Sequence, residues 1–211
     1  MKHKIITMLE LQDSMNTRVN TDWRDAGYDW YRAIWIEAAE MLEHYGWKWW
    51  KKQQPDTMQV KLEIVDIVHF ALSARLVQGA EQGVTQDMIA AQIAEEFAKP
   101  VATDSIRTTI ELLAQHTLVD RSAHFPIIAG VMSHLDMPFD ELHEIYVGKN
   151  VLNIFRQDNG YKDGHYIKTW RGREDNEHLA DILAQLDSDS ASFRNDIYQA
   201  LEQAYPEPAA A

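Results

Sequence analysis

Two pairs of carboxylates carry the first chemical signal in this 211-residue chain. Glu37 and Glu40 stand three residues apart, and so do Glu63 and Asp66. On a helix that spacing sets two side chains about 60° apart around the axis and about 4.5 Å along it. The first pair alone would suit any solvated helix. The second pair has a different setting: Val60, Leu62, Ile64, Val65, Ile67, Val68, Phe70, Ala71 and Leu72 cover nearly the whole circumference around it. A helix apolar all round is a buried one. Ionised carboxylates there are costly unless they are paired or hold a metal. Lys61 is the only nearby base on that helix, and one lysine cannot neutralise four acids. Two such pairs on antiparallel neighbouring helices make a cage of hard oxygen donors, which suits Mg²⁺, with Mn²⁺ as a substitute. A di-iron bundle would require Glu-x-x-His pairs, and neither pair supplies one. His69, three residues after Asp66, reads as a hydrogen-bonded core histidine.

The elements that must position these groups are helical. The chain has only 9 Gly and 6 Pro, many segments repeat near 3.6 residues, and alternating patterns of useful length are scarce. A first helix is expected from about Ile5 to Asn16. A second is expected from Asp29 to Tyr45, with Ile34, Ala38, Met41, Leu42 and Tyr45 on one face and Gly46 as its stop. The segment Trp47-Lys-Trp-Trp-Lys-Lys then forms a dense aromatic and basic turn. The third helix spans Thr57 to Val77. Residues 84 to about 147 hold some three amphipathic helices punctuated by Pro100, Pro126 and Pro138, with no chemistry concentrated in them. Between Lys149 and Asn176 the composition shifts to Asn, Gly, Lys, Arg and Tyr. Two helices finish the chain, near Glu177–Leu186 and Ala191–Ala204. The expected fold is all-α: a helical bundle core (1–78 and 148–204) carrying the four-carboxylate metal site, a helical insertion or cap (79–147), and a frayed tail (205–211).

Composition narrows the function. Lys+Arg is 20 against 33 Asp+Glu, a formal net charge of −13. Partners that need a basic surface, nucleic acid and anionic membrane, are not expected. There is no cysteine, which removes disulfides, thiolate zinc sites, iron–sulfur clusters and cysteine nucleophiles. A transmembrane helix is not expected, since no run of about 18 apolar residues occurs. The N-terminal stretch, broken by Glu10 and Asp13, lacks the apolar length of a signal peptide. The expected compartment is the cytoplasm.

With the motifs in view, the sequence resembles a known family. Residues 37–51, EAAEMLEHYGWKWWK, together with 63–72, EIVDIVHFAL, are similar to the signature of the all-α, dimeric dUTP pyrophosphatases. So are Gln12-Asp-Ser-Met-Asn16 and the late block GKNVLNIFRQDNGYKDGHYIKTWRGREDN, residues 148–176. These pieces fall in the family's order. The resemblance implies Mg²⁺-dependent hydrolysis of dUTP to dUMP and pyrophosphate, which controls dUTP levels and supplies dUMP. Use of dUDP stays open. It implies Glu37, Glu40, Glu63 and Asp66 as metal ligands, with Glu40 also orienting or deprotonating the attacking water. It gives base recognition to Gln12 and Asn16, whose carboxamides offer the paired donors and acceptors that a uracil edge requires. Trp50 would pack on the base or close the pocket, and His69 and Phe70 would lie near the sugar. Phosphate binding falls to Arg156, Tyr161, Lys162, Lys168 and Asn176, with Lys149 a further candidate. Gly160 and Gly164 would let the chain close tightly over phosphates. A homodimer is also implied. Two rival readings remain at this stage. One is a sister pyrophosphohydrolase for another nucleotide such as dCTP. The other is a non-catalytic acidic helical protein that mimics nucleic acid, which leaves the carboxylates on an apolar helix without explanation.

Overall fold

Several helices of the computed structural model begin at a side chain that accepts an otherwise orphaned amide, as helix starts require. Asp56 accepts from the Gln59 amide, Thr85 from Met88 and Ser105 from Thr108. The described residues are 1–188, 190 and 192–206. Residues 207–211 of the expected frayed tail lie outside them. In chain order the helices are α1 (Lys2–Val19), α2 (Trp30–Tyr45), α3 (Thr57–Gln82), α4 (Gln86–Phe97), α5 (Ile106–Asp120), α6 (Phe125–His134), α7 (Phe139–Asp158), α8 (Asp175–Leu183) and α9 (Phe193–Ala204). Between α7 and α8 lies a hairpin of two-residue strands, β1 (Thr169–Trp170) and β2 (Arg173–Glu174), paired antiparallel. The all-α expectation holds, and α2 and α3 start within one residue of where the sequence places them.

The departures have local causes. Helix α3 runs five residues past Val77, to Gln82, because its stop is not Gly79 but Gly83, which takes the left-handed conformation at φ 65. Gly79 sits inside the helix against Ile89, where a Cβ would meet Ile89 Cδ1 at 2.4 Å. The late basic block is not one loop. Its first part belongs to α7, so Lys149 and Arg156 are helical. The hairpin escaped the sequence because two residues per strand leave no period to detect. Its turn needs left-handed backbone at both Arg171 (φ 51) and Gly172 (φ 82).

The chain forms two compact units, Met1–His143 and Glu144–Ala211. In the first, α2 lies along α3 and α5 packs on α2, while α1 packs on α3 and α4. Helix α3 is the axis of this unit: Val60, Leu62, Ile64, Val65, Ile67, Val68, Ala71, Leu72 and Leu76 are all buried. Each large side chain among them stabilises the fold by about 1.5–3 kcal/mol. Glu63 and His69 are buried with them. The second unit has an aromatic core. Phe155 meets Trp170, Tyr198 and Tyr205 edge-on, with ring centroids 6.1, 5.4 and 5.3 Å away.

Candidate active site

The packing of α2 along α3 sets Glu37 against Glu63 and Asp66. One carboxylate oxygen from each lies within 4.8 Å of the other two. Glu63 is buried, Glu37 and Asp66 are half-buried. Burial, then the Asp66 charge, then the hydrogen bond and charge of Glu63, and last the Glu40 charge push the Glu37 carboxyl up to about 8. That direction favours a proton shared between the Glu37 and Glu63 carboxyls over two ionised groups. His44 Nε2 stands 3.4 Å from Glu63 Oε1. Lys61 is drawn to Glu141, 2.6 Å away. Glu40 is exposed on the next turn of α2. Three convergent carboxyl groups, one of them pushed toward its protonated form by the other two, form a set of hard oxygen donors whose mutual repulsion a divalent cation would relieve. Mg²⁺ fits that chemistry.

A second set of polar groups joins α1 to α3. His69 donates from Nδ1 to Gln12 Oε1 at 2.6 Å, which fixes its tautomer. Gln12 donates to Asn16 Oδ1 at 3.0 Å, Asn16 donates to Ser73 Oγ at 2.9 Å, and Ser73 donates back to the His69 carbonyl at 2.9 Å. The four bonds form a closed ring with one sense of donation. Gln12 is 5% exposed, so it is not a polar end of a surface helix. Asn16 is half-buried at the edge of the ring. The ring decides which way each carboxamide points, and that orientation is what presents donors or acceptors to a ligand. Ser73 escaped the sequence reading. Its only signal was its position four residues after His69, where an Oγ reaches the i−4 carbonyl.

Phe70 is half-buried and stacks obliquely on Trp30, with centroids 6.3 Å apart. Trp50 is exposed in the turn that follows α2. Its ring meets Trp47 and Trp49 edge-on at 5.2 and 5.4 Å. The turn is shaped by the Gln53 carboxamide, whose oxygen accepts from the Trp47 and Lys48 amides at 3.1 and 2.8 Å. Glu43 accepts from Trp47 Nε1 at 2.8 Å and pairs with Lys48.

The residues expected to bind phosphate all lie in the second unit. Lys149 is buried and donates to Asn176 Oδ1 at 3.0 Å. Arg156 grips Asp175 through both Nε and Nη2, at 2.8 Å each, and donates to Asn153 at 3.0 Å. Tyr166 adds a hydroxyl donor to Asp175 at 2.8 Å. Burial raises the Asp175 carboxyl, but the paired Arg156 outweighs it and the net shift is downward. Tyr161 is exposed, its ring 6.0 Å from the Arg156 guanidinium. Lys162 is exposed in the turn after α7. Lys168 is exposed and pairs with Glu174 at 3.2 Å. Gly160 and Gly164 both take positive φ, at 81 and 74, as tight turns demand. Lys149, Arg156 and Asn176 thus form one cluster around Asp175.

Chemistry is also present where the sequence suggested none. His116, Asp120 and His124 converge at the end of α5. A cavity of 530 Å³ is lined by Tyr28, Trp30, Tyr31, Arg75, Asp120 and Arg121 among others.

A family model described as dUTPase matches residues 4–161. No curated protein matches the chain.

Proposed function

The chain belongs to the all-α dUTPase family, and from that premise we propose how its residues divide the reaction. The enzyme hydrolyses dUTP to dUMP and pyrophosphate. One water is added across the α–β phosphoanhydride, and no covalent intermediate is required. Glu37, Glu63 and Asp66 would hold Mg²⁺, with Glu40 as the fourth carboxylate. The ion would supply neutralisation of triphosphate charge and a more acidic water. Glu40 orients and deprotonates the attacking water, for which its exposed position beside Glu37 leaves room. Gln12 and Asn16 bind the uracil edge, held in orientation by His69 and Ser73. Phe70 and Trp50 supply aromatic surface for sugar and base. Lys149, Arg156, Tyr161, Lys162, Lys168 and Asn176 bind the phosphates.

The observation that carries this reading is the convergence of Glu37, Glu63 and Asp66 within 4.8 Å on two packed helices. A homodimer is part of the proposal, supported by exposed aromatic surface at Trp47, Trp49 and Trp50. Trp49 is 89% exposed, unusual for so large an apolar group. A cytoplasmic location suits a chain with no cysteine.

The test is pyrophosphate release from dUTP, dCTP, dTTP and UTP, each with and without Mg²⁺, with dUDP as a further arm. Strong preference for dUTP that vanishes without Mg²⁺ is the expected result. Equal turnover of dCTP would remove the uracil role from Gln12 and Asn16 while keeping the carboxylates. Activity indifferent to divalent cations would overturn the metal assignment.

A further inference from the structure

We propose that His116, Asp120 and His124 form a second metal site, selective for a borderline divalent transition ion of the Zn²⁺ type and chemically separate from the carboxylates that serve catalysis. The three residues follow one another at intervals of four. His116 and Asp120 share a face over the last turn of α5. Helix α5 stops at Arg121, which takes the left-handed conformation at φ 51. That reversal turns the chain back, and His124, the residue preceding α6, returns to the same spot. His116 Nδ1 lies 3.6 Å and His124 Nε2 3.2 Å from the same oxygen, Asp120 Oδ2. One ligand atom from each of the three residues falls within 4.8 Å of the other two. For metal–ligand bonds of about 2.0–2.1 Å in a tetrahedron, ligand atoms sit about 3.3–3.5 Å apart. The two edges, 3.6 and 3.2 Å, bracket that spacing within about 0.1 Å on either side.

The donor set decides the metal. Two imidazoles and one carboxylate suit Zn²⁺, Co²⁺, Ni²⁺ or Cu²⁺, whereas Mg²⁺ and Ca²⁺ prefer oxygen alone. Three protein ligands leave the fourth tetrahedral position to water. The Ser122 hydroxyl stands 3.3 Å from His124 Nε2, close enough to support a bound water. Arg75 is the cation facing His124, and it is bonded to both carboxylate oxygens of Glu96 at 2.5 Å. Its charge is therefore largely balanced. Asp120 also lines the 530 Å³ cavity with Arg121 and Ser122, so an ion can reach the site from solvent. Binding would clamp the α5–α6 corner. The Arg121 guanidinium from that corner lies 5.7 Å from the Tyr31 ring on α2.

The experiment is a Co²⁺ titration of the metal-stripped full chain in saturating Mg²⁺, so that the catalytic carboxylates are already occupied. The expected result is one equivalent of Co²⁺ with the visible absorption of a four-coordinate ion, displaced by Zn²⁺ and insensitive to more Mg²⁺. His116→Ala, a half-exposed position whose loss leaves the core intact, should weaken binding at least about tenfold. Asp120→Asn should act in the same direction. Zn²⁺ should raise the thermal midpoint of the wild type and leave that of His116→Ala unmoved. Absence of the Co²⁺ spectrum overturns the proposal. So does a spectrum that persists in His116→Ala or disappears in Glu63→Gln, since either would place the ion elsewhere.

Discussion

Glu37 on α2 and Glu63 on α3 meet carboxyl to carboxyl, a carboxylate oxygen of each within 4.8 Å of the other, close enough to share a proton. Two acids can do this only while one of them is protonated. A divalent cation between them would take the place of that proton, so proton binding and metal binding compete at this pair.

A pH dependence follows for the metal-free protein. The Glu37 carboxyl is raised from 4.5 to about 8 in the fold. Between those values the folded chain holds a proton that the unfolded chain releases, so stability falls as pH rises through that window. Thermal unfolding in a chelator at pH 5, 6.5 and 8 should show a declining midpoint. The decline should flatten in Glu37→Gln. Mg²⁺ should raise the midpoint most at pH 8, because it replaces the proton. A midpoint that rises with pH in chelator would contradict the assignment.

Glu40 is exposed while Glu37, Glu63 and Asp66 converge, which suits the water-activating role proposed for it. Glu40→Gln should lower kcat by about 10²–10⁴, the usual worth of a general base. KM for dUTP should change little, and Mg²⁺ should still shift the thermal midpoint. Steady-state kinetics with the same panel of nucleotides checks this, and an unchanged kcat removes Glu40 from the proton transfer.

Ser73 holds Asn16 by a 2.9 Å hydrogen bond and itself donates to His69. It acts as a positioning residue. Ser73→Ala should free the Asn16 carboxamide to rotate and weaken discrimination between dUTP and dCTP by about tenfold, roughly one hydrogen bond. The effect should fall on KM for dUTP more than on kcat. Ser73→Thr, which keeps the hydroxyl, should recover most of the selectivity. An equal loss for all nucleotides would mean a merely structural role.

Asp175 is fully buried and bonded to Arg156 and Tyr166. Asp175→Asn removes the charge that balances Arg156 and should cost about 3–5 kcal/mol, the usual penalty for breaking a buried pair. Urea unfolding measures it. The wild-type carboxyl lies below its ordinary 3.8. Its contribution is therefore complete above that value and is lost as pH falls through the lower folded value. Acid unfolding should begin at higher pH once Arg156 is replaced by Leu.

The sequence alone determined the helical class, the starts of α2 and α3, and an acid pair on each of those helices, of which Glu37, Glu63 and Asp66 converge. Those properties depend on local spacing: a period of 3.6, a cap, or an acid at i and i+3 on an apolar helix. The family resemblance of the motif from Gln12 to Asn16 also singled out those two amides, four residues apart on one helical face. Tertiary structure decided the rest. Nothing local to Gln12 says that its oxygen meets a histidine 57 residues away. Nothing in the E-x-x-E spacing says that Glu37 joins α3 while Glu40 faces solvent. That division depends on the rotation of α2 about its axis, which the packing of Ile34, Ala38 and Met41 sets. Arg156 read as a free phosphate ligand until the fold placed a buried Asp175 against it. His116, Asp120 and His124 were visible as letters at intervals of four. A helix continued through them would have spread them over two turns. The left-handed Arg121 breaks that rise, and only the folded corner brings the third ligand back to the first two.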